Sequence, residues 1–67
     1  MAYFIVCVYD TESNLWHQEM GFTNKIDAEE ERDTLKETHK AKHIKIVRLE
    51  RGTHIAVMSA LAKLNSK

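Results

Sequence analysis

Tyr3-Phe4-Ile5-Val6-Cys7-Val8-Tyr9 is a strand sequence with no polar face. A strand covered on one side alternates apolar and polar residues, whereas one covered on both sides reads as a continuous apolar run. Tyr3, Ile5, Cys7 and Tyr9 fall on one face here, and Phe4, Val6 and Val8 on the other. The stretch predicts a central strand with both faces covered, in a chain barely long enough to cover one.

Downstream, Asp10-Thr11-Glu12-Ser13-Asn14 is a polar turn of residues whose side chains bond their own backbone. Leu15 to Phe22 reads as a second strand, with Trp16, Gln18, Met20 and Phe22 expected on one face and Leu15, His17 and Glu19 on the other. The short connection makes the two strands an antiparallel hairpin. Asn24 to His39 predicts a helix capped by Thr23 or Asn24. Its early acids and late Lys36, His39 and Lys40 match the helix dipole. Its apolar stripe is thin: Ile26, Ala28 and Leu35, with aliphatic help from Arg32 and Thr38. His43 to Glu50 is a third strand, again apolar on both faces, with Ile44 and Ile46 on one and Val47 and Leu49 on the other. Thr53 caps a second helix, His54 to Leu64, with the stripe Val57, Met58, Leu61 and Leu64. Asn65-Ser66-Lys67 reads as a frayed end.

The order β-β-α-β-α implies an α+β fold with a three-stranded antiparallel sheet. Placing the first strand between the other two, order 2-1-3, puts the most apolar strand in the centre. The first helix covers one face. The C-terminal helix covers the other, or lies at a dimer interface with Val57, Met58, Leu61 and Leu64 as the seam.

Sixty-seven residues make one domain, 1–67. Chains this short seldom draw more than about 3–5 kcal/mol from their core, and many add disulfides, a metal or a partner subunit. Cys7 is the only cysteine, which excludes an intrachain disulfide and fits a reducing compartment. A partner is the expected supplement, with a second copy of the chain as first candidate. The N-terminus lacks the basic region and long apolar run of a secretory signal, and Ala2–Tyr9 is far short of the roughly 20 residues that span a membrane. The expectation is a soluble, cytoplasmic domain with no membrane partner.

The zero net charge hides a polarity. Residues 1–35 hold eight acids against Lys25 and Arg32, whereas residues 36–54 hold six cations against Glu37 and Glu50. The balance argues against a whole-protein nucleic-acid mimic or coat and leaves room for one basic surface.

Reactive constellations are sparse. His39 and His43 have an i, i+4 spacing that zinc sites use, but they straddle a helix end and no Glu follows His39. Cys7 is set among valines, Ser59 has no glycine-rich elbow, and Glu29-Glu30-Glu31 reads as a solvated helix face. The expectation is no enzyme, no metal and no cofactor. Trp16 and the acidic helix face of Glu29, Glu30, Asp33 and Glu37 are candidate contacts for a protein partner, as are Lys45, Arg48 and Arg51. Lys40, Lys42, Lys45, Arg48, Arg51 and His54 support an alternative, a small nucleic-acid-binding regulator. The short length, lone thiol and missing enzymatic motif resemble compact single-domain proteins of phages and mobile elements. That resemblance implies an inhibitor or modulator that binds a larger host protein and occludes its surface.

Overall fold

The computed structural model describes residues 2–38 and 43–66. Strands β1 (Tyr3–Asp10) and β2 (Leu15–Phe22), helix α1 (Lys25–Thr38), strand β3 (Ile44–Leu49) and helix α2 (His54–Asn65) follow in that order. The sheet is antiparallel with the order β2-β1-β3, so the strand with two apolar faces is central. Ile5, Val6 and Cys7 lose all contact with solvent.

Each face of β1 has its own covering helix. Val6 packs with Ala28 and Leu35 of α1, joined by Phe4, Val8, Phe22, Ile44 and Ile46. Ile5 and Cys7 pack with Val57 of α2, joined by Tyr3, Trp16, Val47, Leu49, Ala60, Leu61 and Leu64. The C-terminal helix therefore closes the second face within its own chain. Its inner stripe is Val57, Ala60, Leu61 and Leu64, at i, i+3, i+4 and i+7. Met58 departs from the sequence reading: it sits on the outer side, 51% exposed, with Ile55 at 78%. Val57, Leu61 and Leu64 are occupied by the sheet and do not form a free seam.

β2 also departs from simple alternation. Val6 lies opposite Met20 but Cys7 lies opposite Gln18, so Glu19 is an extra residue, a β-bulge. One inserted residue exchanges the two faces beyond it. Phe22 thus packs on the α1 side while Trp16 packs on the α2 side, and the expected common face of Trp16, Gln18, Met20 and Phe22 does not form.

The caps follow the sequence reading. The Ile26 amide donates to Asn24 Oδ1 at 2.8 Å, and the Ala56 amide donates to Thr53 Oγ1 at 3.2 Å. On α1, Ile26 is 63% exposed, because two residues along a helix place it nearly opposite the buried Ala28. Thr38 is also exposed and its hydroxyl donates to the Thr34 carbonyl. Asn65 is not frayed. It ends α2, and its side-chain amide engages both backbone groups of Trp16.

Both glycines serve one side chain. The Tyr3 ring lies across Gly21, where a Cβ would collide with the phenol end, and a Cβ on Gly52 would stand 2.9 Å from Tyr3 Cδ1. Neither glycine has a positive φ, so space rather than backbone freedom calls for them.

Candidate functional site

The hairpin end brings together three residue types that elsewhere form catalytic triads. Ser13 Oγ donates to Asp10 Oδ2 at 3.0 Å and lies 3.1 Å from His17 Nε2, which is 3.7 Å from the same carboxylate oxygen. In a working relay the acid orients one ring nitrogen while the other faces the nucleophile. Here Asp10 and Ser13 crowd the same nitrogen, and the serine proton points at the acid. The cluster instead ties the turn: Glu12 N also donates to Asp10 Oδ1 at 3.0 Å, and Asn14 takes the left-handed backbone at φ 59°. The Glu12 amide first, then the Ser13 hydroxyl, with a smaller contribution from His17, hold the Asp10 carboxyl below its ordinary 3.8.

The candidate partner residues are dispersed. Glu30, Asp33 and Glu37 lie on the exposed outer face of α1, where Asp33 accepts from Arg32 Nε at 3.2 Å. Glu29 instead lines a groove between α1 and β3. Trp16 is half-buried. It stacks edge-on to Tyr9 with ring centroids 5.4 Å apart, and Lys45 Nζ sits 5.0 Å from its ring centre. Tyr9 also meets His43 edge-on at 6.1 Å. Lys45 and Arg48 leave β3 on opposite faces, and Arg48 pairs with Glu50 at 3.0 Å. Arg51 and His54 are exposed beyond the strand. His39, Lys40 and Lys42, and with them the His39–His43 spacing, lie outside the described residues. Among the described residues no three His, Cys, Asp or Glu side chains converge as metal ligands, and no helix is long and apolar enough to cross a membrane.

The two edges of the sheet differ. β2 is kinked by the bulge at Glu19, and at Trp16 its outer edge is occupied. The Trp16 amide donates to Asn65 Oδ1 at 2.7 Å, and Asn65 Nδ2 donates to the Trp16 carbonyl at 3.3 Å. A carboxamide there copies the pairing of a neighbouring strand. β3 has no bulge, and among the described residues no hydrogen bond reaches its outer edge. The Tyr9 amide donates to the His43 carbonyl, which fixes the ladder's phase. By antiparallel alternation, the backbone groups of Ile44, Ile46 and Arg48 point outward.

No family model, curated protein or solved structure matches this chain. The site rests on its geometry, and the geometry continues to both sides of β3. On the α1 side is a groove of about 570 Å³, floored by Phe4 and Ile46, with Lys25, Arg32 and Arg48 around Glu29. On the α2 side is a groove of about 350 Å³, lined by Val47, Leu49, Ala56, Ala60 and Leu64 together with the polar Arg48, Ser59 and Lys63.

Sequence reasoning did not find Lys25, Arg32, Lys63 or Asn65. Lys25 and Arg32 stand seven residues apart on one helix face, a readable signal once that face is known to border β3. Cys7, the one thiol, is the group of ordinary nucleophilic chemistry that the fold places deepest. It is fully buried, and burial pushes its thiol up to about 11.

Proposed function

We propose that this protein is a non-enzymatic protein-interaction module that presents the β3 side of the molecule to a partner and covers the partner's surface. One observation supports this most: one sheet edge is interrupted by the Glu19 bulge and capped at Trp16 by Asn65, while the other is regular, flanked by two grooves and, among the described residues, unpaired. Proteins blunt unused edges with bulges, covering groups or edge charges, because an open edge pairs indiscriminately, and on β3 that task falls to Lys45 and Arg48 alone. A stoichiometric inhibitor or modulator, of the kind the phage and mobile-element resemblance implies, needs such a surface and no reactive group. The test is affinity capture from the native cell, followed by reconstitution of the complex from purified components. A defined one-to-one complex is the expected result, and failure to reconstitute any complex counts against the reading.

A second reading is a nucleic-acid-binding regulator. It is favoured by the Lys45–Trp16–Tyr9–His43 cluster, where a cation and aromatic rings adjoin as they do on base-stacking surfaces. It predicts oligonucleotide binding that weakens steeply with salt and with Lys45→Ala and Arg48→Ala. Absence of such binding at low salt would end it.

A further inference from the structure

We infer that β3 recruits an extended segment of a partner that alternates acidic and small apolar residues, adding it to the sheet as a fourth strand. The inference rests on the protein-binding reading above and names the occupant of that surface. An incoming strand finds the outward amides and carbonyls of Ile44, Ile46 and Arg48, and its side chains fall alternately on the two faces of the sheet. The two faces offer different chemistry. On the α1 side, Lys25, Arg32 and Arg48 line the groove together with Glu29, and Arg32 and Arg48 hold solvent-accessible pairs with Asp33 and Glu50 that a partner carboxylate can replace. That side suits Asp and Glu. On the α2 side Val47, Leu49, Ala56, Ala60 and Leu64 make most of the lining, with Ser59, Lys63 and Arg48 beside them, and Ala56 and Ala60 leave room for a small apolar side chain. Among the described residues Lys25, Lys45 and Lys63 sit in no ion pair. The Arg48–Glu50 pair is exposed on both sides and exchanges readily for a partner carboxylate.

Charge also disfavours a second copy of this chain at the same edge. Edge-to-edge pairing of two β3 strands sets a second Lys25 and Lys45, and Arg32 and Arg48 with their Asp33 and Glu50 partners, across the seam from the first, with Glu29 offsetting part of that charge. An acidic strand meets the same cations as counter-ions.

The experiment uses the full chain and a blocked synthetic peptide alternating Glu and Val, with a Lys/Val peptide as control. Expected are binding of the acidic peptide alone, slowed amide exchange at Ile44, Ile46 and Arg48, and weakening as salt is raised. Arg48→Ala should weaken binding about fivefold, the size of one partly exposed ion pair. Arg48→Pro should abolish it. Its lost N–H points away from β1, so the existing ladder persists, and a proline is tolerated on an edge in this orientation. A circular-dichroism melt checks that it folds. Equal binding of the two peptides would overturn the inference, and so would exchange at the three amides that the acidic peptide leaves unchanged. Protection of those amides in the free protein at twice the chain mass would assign the edge to a second copy, and their protection by an oligonucleotide but not the peptide would assign it to nucleic acid. Either result overturns the inference. A native partner bound equally well by wild type and Arg48→Pro would overturn strand addition and leave the protein-binding reading standing.

Discussion

Asn65 shows how much one side chain decides. A polar residue near a chain end carries no sequence mark of a distant contact, yet its carboxamide satisfies the amide and carbonyl of Trp16, 49 positions earlier. Asn65→Ala leaves both half-buried groups unpaired and should cost about 1–3 kcal/mol, read by urea unfolding together with faster exchange of the Trp16 amide. Cys7 gives a second prediction at this scale, with a sign that follows from burial. Its thiol titrates near 11 in the folded chain against an ordinary 9.0. A raised acid means that the unfolded chain ionises first, so stability is intact below pH 9.0 and declines between there and about 11. Denaturant midpoints across that range should fall in the wild type and fall less in Cys7→Ala. A thiol-specific reagent at pH 8 should modify Cys7 only at the rate of unfolding.

At the scale of elements, what was legible depended on how many physical signals agreed. β1 was legible because both of its alternating sets are apolar, and the 2-1-3 order follows from placing it centrally. The open edge of β3 was not legible, since edge status is a property of the sheet and not of the strand. α1 was legible in extent but not in facing: the sequence offered Ile26 and Ala28 together, and only one of two residues a half-turn apart can face the sheet. β2 misled for a different reason. A bulge is often marked by glycine, but here the extra residue is Glu19, whose charge is indistinguishable from that of an ordinary exposed strand position. Deleting Glu19 would test that account. It restores strict alternation and forces either Trp16 or Phe22 onto the wrong face. The loss should be at least about 3 kcal/mol, the scale of removing a large aromatic from a core. The expected readout is a chain that loses near-ultraviolet circular dichroism and shows red-shifted Trp16 fluorescence.

For the whole molecule, the tension between two apolar faces and a short chain resolves within one copy. α1 and α2 each cover one face of the sheet, so no second molecule is needed to complete the core. The core is nevertheless thin: among the described residues only Ile5, Val6 and Cys7 are fully buried large side chains. Its margin is of the order of 3–5 kcal/mol, as for other domains of this size. Two substitutions on α2 then separate folding from association. Leu61 lies against the inner cluster, and Leu61→Asp places a carboxylate there with no cationic partner in that cluster. That cost exceeds the margin, so the variant should be unfolded by circular dichroism at 25 °C rather than a folded, dissociated subunit. Met58 is about half exposed on the outer side, and Met58→Asp should shift stability by no more than about 0.5 kcal/mol. If the native protein has twice the chain mass by light scattering, this second variant also locates the contact. A fall to the single-chain mass places the interface on the outer face of α2, around Ile55 and Met58, and an unchanged mass places it elsewhere.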